Sequence, residues 1–152
     1  MIRGACFWLG ADPSSPYPRF MAPIPVRPRI HNHCDLIVWQ RAMDLADFCY
    51  DLTENFPKHE TYGLAAQIRR AAVSVAANIA EGHGRHHTGE YLHHLSFAVG
   101  SLTELDTEVR LSDRRKYLRE GDFQRFVEFY VEVSSILRGL IDSLRRHQAA
   151  TA

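Results

Sequence analysis

Cysteine is scarce in this chain. Cys6, Cys34 and Cys49 are odd in number, far apart, and form no CxxC pair. Reduced thiols are the plain reading, and a disulfide framework has no support. Long apolar runs are missing as well. None approaches the ~20 residues that cross a bilayer. The opening stretch, MIRGACFWLGADPSSP, lacks the apolar core and cleavage site of a secretory leader. A cytoplasmic protein with no membrane partner is expected. Net charge is absent too, since 18 Lys and Arg balance 18 Asp and Glu. That excludes a uniformly basic nucleic-acid binder. The chain has no glycine-rich phosphate loop, no nucleophile elbow and no HExxH. Ser74 lies among alanines in a helical stretch, poorly placed for attack. The chain therefore reads as non-enzymatic, with no catalytic residue and no cofactor.

Proline is nearly absent after residue 33. Pro13, Pro16, Pro18, Pro23, Pro25 and Pro28 leave only Pro57 for the remainder. Such density prevents helix and withholds ladder hydrogen bonds. Residues 1–33 are expected to form an extended, disordered arm, and Met21 offers an alternative start. Arg3, Arg19, Arg27 and Arg29 face Asp12 alone there, so a basic arm precedes a mildly acidic body. Residues 34–148 suffice for one domain with a core of its own. Residues 149–152 are expected to be a disordered tail.

What the body does contain is helical periodicity. Leu36, Trp39, Met43, Ala46 and Tyr50 recur at steps of three and four, with Asp35 as the expected N-cap and Phe56-Pro57 as the stop. In a second segment Leu64, Ile68, Val75 and Ile79 alternate with Ala65, Ala66, Ala71, Ala72, Ala76, Ala77 and Ala80. A helix with faces this small lets a neighbour come close. Gly82 is placed to end it in the left-handed conformation. Thr88 is the expected cap of a third helix carrying Leu95, Ala98, Leu102, Leu105 and Val109, with Gly100 and Ser101 as a small patch to lie against the alanines. Asp122 opens a fourth, where Phe123, Val127, Tyr130, Ser134, Leu137, Ile141 and Leu144 form one row and Phe126, Val133 and Leu140 another. Two rows exceed what one core needs, and the surplus suits either a subunit interface or deep burial. The segments predict an all-α, antiparallel up-down-up-down four-helix bundle behind a Pro-rich N-terminal arm.

Several strings carry a resemblance. LIVWQRAMDLA at 36–46, FPKHETYGL at 56–64, QIRRAAVSVAANIAEGHGR at 67–85, EYLHHLSFAVGSLTEL at 90–105 and LRGLIDSL at 137–144 resemble the bacterial 23S rRNA intervening-sequence proteins. The likeness spans about residues 35–147; Val75 and Ala76 depart from the commoner isoleucine and proline. It implies an antiparallel four-helix bundle and a ring-like homopentamer. Some such proteins are encoded within insertions of 23S rRNA genes. Distant relatives accompany reverse transcriptases of diversity-generating retroelements, where a basic surface is thought to meet nucleic acid. The resemblance supplies no catalytic residues. Its characteristic positions here are Ser74, Asn78, Glu81, Gly82, Gly100, Ser101 and Glu104.

Two readings of function remain open. In an up-down-up-down bundle one pole would gather Arg27, Arg29, His31, His33, His83, Arg85, His86, His87, Arg145, Arg146 and His147 against Asp35, Glu81, Glu90 and Asp142. Of these, Arg27, Arg29, Arg85, His86, His87, Arg145 and Arg146 are the candidate contacts to RNA or DNA phosphates. Dipole complementation explains Arg145 and Arg146 but not the arm. This favours a self-assembling scaffold or adaptor for nucleic acid or a reverse transcriptase-like partner. The alternative is a metal- or small-ligand-binding bundle using the turn at 83–94, where five of nine histidines lie and His87, Glu90 and His94 could share a side. Adjacent histidines point about 100° apart on a helix, which disfavours it. Glu81, opposing the helix dipole, calls for a cationic or hydrogen-bond-donating partner, and Arg85 is the candidate by proximity. A second basic run, Arg114-Arg115-Lys116, lies at the other pole.

Overall fold

The computed structural model describes residues 30–151. Among them the order is α1 (Ile37–Thr53), α2 (Leu64–His83), α3 (Thr88–Arg114) and α4 (Asp122–Thr151), with single 3-10 turns at His33–Asp35 and Lys58–Glu60 and no strand. Each helix packs on its two chain neighbours and α4 closes on α1, so the four form a ring around one core. Directions follow from side-chain partners. Arg69 of α2 reaches Thr53 at the end of α1. Ser74 meets Ser101, Arg110 lies over Phe123, and Arg41 pairs with Glu132. Neighbours therefore run antiparallel, and the bundle is up-down-up-down.

The core is built as the periodicity requires. Leu45, Cys49, Ile68, Ala72, Val75, Ile79, Leu95, Leu105, Val109, Phe126, Val133 and Leu137 are fully enclosed. Burial pushes the Cys49 thiol up to about 12, with the nearby Glu108 charge adding to the effect. The thiol is thus an inert apolar filler. On α4 only Phe126, Val133 and Leu137 are buried. Phe123, Val127, Phe129, Tyr130, Ile136, Leu140, Ile141 and Leu144 pack against the core edge half-covered. The surplus apolar rows thus fill the flanks of this helix.

Helix ends differ from expectation in several places. Asp35 does not cap α1. Asn32 caps the preceding turn, its Oδ1 accepting from Cys34 N at 2.8 Å. Asp35 instead accepts from the backbone of His31 and Asn32, which holds its carboxyl below the usual range. Leu36 occupies the N-cap of α1, and His87 rather than Thr88 that of α3; neither makes a side-chain cap bond. α4 continues helical through Ala149 and Ala150 to Thr151, past the point where a tail was expected. The expected arm at 1–33 falls mostly outside the described residues; its last four residues, 30–33, lead into the capped turn.

Gly82 does not terminate α2. It sits inside the helix, buried, and Gly84 follows as C-cap with an ordinary negative φ of −76°. Its importance is room: a Cβ there would lie 2.7 Å from Tyr91 Cδ2 and 2.9 Å from His94 Cβ. Gly100 reverses the expectation. It faces outward, and a Cβ would meet nothing within 4 Å. Close approach of α3 to α2 is shown at Gly82, near the end of α2, while Ala72 and Ala98 are fully buried in the interior.

Candidate nucleic-acid interface

The bundle brings three chain regions to one pole. They are the entry to α1, the turn from α2 to α3, and the last turns of α4. A Cβ on Gly89 would lie 3.8 Å from Gln148 Nε2, so the end of α4 stands beside the start of α3. His83 is close enough to act on the Asp35 charge, which joins α2's end to α1's entry. Arg85, His86, His87, Arg145, Arg146 and His147 are all solvent-exposed on this pole. Arg27 and Arg29 lie outside the described residues.

Arg85 is not Glu81's partner. Its Nε donates to His94 Nε2 at 3.0 Å. Because guanidinium only donates, Nε2 must accept, and the ring proton sits on Nδ1. That Nδ1 lies 3.5 Å from Glu81 Oε2. The imidazole thus stands between the arginine and the carboxylate. Sequence proximity misdirected the pairing because residues 85 and 94 meet across the turn. An open depression of about 380 Å³ beside them is lined by Arg85, Gly89, Glu90, His93 and His94. Its mixed charge and open floor suit a surface contact more than an enclosed small molecule.

The histidine turn does not gather as a metal centre. Among the described residues no three His, Cys, Asp or Glu side chains converge at ligand distances. His94 is engaged with Arg85, His83 lies edge-on to Tyr91, and His93 lies edge-on to Phe97.

The motif residues are brought together in part. Asn78 Nδ2 donates to Ser74 O and Ser74 Oγ at 2.8 and 3.1 Å, and Ser74 Oγ lies 2.9 Å from Ser101 Oγ. Ser74 Oγ thus accepts from Asn78 and shares a hydrogen bond with Ser101, whose direction either hydroxyl can supply. This small network fixes the register of α2 against α3. Glu104 is exposed one turn further on, and Gly100 is apart from the contact. Sequence reasoning missed Tyr117 at the far pole. Its hydroxyl donates to Glu60 Oε1 at 3.3 Å while Phe56 packs on its ring, and Glu60 Oε2 accepts from Leu64 N to cap α2. Arg115 lies over the same ring, which ties part of the Arg114-Arg115-Lys116 run to structure.

A family model described as 23S rRNA-intervening sequence protein matches residues 34–139. The chain belongs to that family. The match takes in three full helices and most of the fourth, including both halves of the Ser74–Ser101 contact. Among solved structures, the chain is similar to a protein of unknown function from the S23 ribosomal protein family of Bacteroides thetaiotaomicron VPI-5482. The identity is 19%, the TM-score 0.64, and the alignment covers 69% of this chain and 98% of that one. At that identity the likeness supports the intervening-sequence protein fold alone. None of the curated proteins matches the chain. No helix of the described residues is long and apolar enough to cross a membrane.

Proposed function

We propose that this intervening-sequence protein is a non-enzymatic, self-assembling scaffold or adaptor whose Arg- and His-rich pole holds nucleic-acid phosphates. One observation carries the reading: cations from the α2–α3 turn and from the end of α4 stand exposed beside one another. Arg85, His86, His87, Arg145 and Arg146 are the contacts, with Arg27 and Arg29 of the arm extending them. Phosphate recognition needs exposed cations on a positioned frame, and these helix ends supply one. Assembly is the second half of the proposal. Ile37 and Val131 are 62% and 56% exposed, and Phe97 is half-exposed. Apolar side chains outside the core favour a homo-oligomer, for which a pentameric ring is the form we propose. A ring would repeat the basic pole around one axis and multiply a weak contact. A reverse transcriptase-like enzyme carrying its own nucleic acid is the protein partner that such a scaffold suits.

A salt titration of single-stranded RNA binding by fluorescence anisotropy tests the reading. Affinity should fall steeply with salt. The Arg85→Ala/Arg145→Ala/Arg146→Ala variant should lose about 2 from the logarithmic slope, near 0.7 per phosphate contact removed. An unchanged slope removes this pole from the proposal.

A further inference from the structure

Steps of seven residues tie α2 to α3 along one edge. Glu81 Oε2 lies 3.5 Å from His94 Nδ1. Seven residues back along α2, Ser74 meets Ser101, seven residues onward along α3. One more step of the same antiparallel register sets Gln67 level with Glu108. Each holds a side-chain oxygen shut away from solvent and without a hydrogen-bond partner: Gln67 Oε1 and Glu108 Oε2. Two acceptors cannot bond each other as they stand. Either the Gln67 amide turns its Nε2 to a carboxylate, or Glu108 carries a proton and donates, because a carboxylic acid donates where a carboxylate only accepts. Burial beside the Glu104 charge disfavours the carboxylate.

We propose that Glu108 is held as the carboxylic acid and donates to Gln67 Oε1, closing this end of the α2–α3 seam, and that loss of the proton to solvent loosens it. The groups acting on Glu108 agree. Burial first, then the Glu104 charge one turn earlier on α3, push its carboxyl up to about 7, against the opposing pull of Arg70 on α2. From α1, the Cys49 thiol senses the same charge across the core. No α4 group is among those acting on Glu108. The seam therefore carries a proton-sensitive clasp at one end, while the Ser74–Ser101 contact at its middle has no titrating member. The clasp stands independently of the nucleic-acid reading.

Carbon NMR of side-chain carboxyls on the full chain tests it, alongside urea midpoints from pH 5 to 8. In the unaltered protein one glutamate should titrate near neutrality, and it should vanish in Glu108→Gln. Gln67→Met, which removes the acceptor, should lower that titration midpoint by about half a unit or more. The urea midpoint should fall with rising pH in the unaltered protein and stay level in Glu108→Gln, whose amide donates at every pH. An ordinary carboxylate titration for Glu108, a midpoint unchanged or raised in Gln67→Met, or an undiminished pH response in Glu108→Gln would each overturn the proposal. If Gln67→Met does not fold, the Glu108→Gln comparison decides alone.

Discussion

Gly82 and Gly100 lie in two of the strings that carry the family resemblance, 67–85 and 90–105, and have opposite surroundings. A methyl on Gly82 collides with Tyr91 and His94, both held in place by α3. Gly82→Ala should therefore lose about 1–2 kcal/mol in urea denaturation, overpacking outweighing the helix-propensity gain. Gly100→Ala should gain up to about 1 kcal/mol, since the new methyl meets open space. A melt showing equal effects at both sites would contradict this distinction. The sequence marked both glycines as special, but a glycine leaves no hydrophobic signature of the face on which it lies. Buried small residues were legible through their large neighbours: Ala72 and Ala76 follow the Ile68, Val75 and Ile79 pattern and are enclosed. Glu81 was misassigned for a different reason. Its partner His94 is distant in sequence, and only the antiparallel register brings them together.

At the scale of elements, four helices were legible because each carries an apolar stripe with the helical period, and proline or glycine punctuates the gaps. Ends were less legible. Asn32 and Asp35 are equally good capping residues in sequence, and here both serve the turn before α1. α2 and α3 share the most extensive packing of any pair among the described residues. Ala72→Leu, at a position with no exposed surface, should cost about 1–3 kcal/mol by forcing the helices apart; an unchanged urea midpoint would show that they are not nested. The pH dependence of the same pair follows from Glu108. Its folded value, about 7, lies above the ordinary 4.5, so the native state keeps a proton that the unfolded chain releases. This contribution to stability is fully present below about 4.5, declines as pH rises to about 7, and is level above. The group is partly exposed, and solvent screening reduces the expected change to about 1 kcal/mol. Asp35 acts in the opposite sense: its lowered carboxyl contributes above the ordinary range and loses that contribution in acid. Urea midpoints across pH 3 to 8 should therefore pass through a maximum on the acid side of neutrality.

The whole molecule is a ring of antiparallel helices that sets residues 83–87 and 145–147, far apart in sequence, at one pole. The opposite pole carries Lys58, Arg114 and Arg119, all exposed, with Tyr117 bound to Glu60 among them. Assembly should appear in light scattering as a multiple of 17.4 kDa at micromolar concentration, five-fold for the proposed ring; a monomer mass would refute it. The most direct test of the central claim compares the two poles at one low salt concentration. Arg85→Ala/Arg145→Ala/Arg146→Ala should weaken RNA binding by about tenfold or more, whereas Lys58→Ala/Arg114→Ala/Arg119→Ala should bind within about twofold of the unaltered protein. Equal losses at the two poles, or a larger loss at the second, would contradict the account.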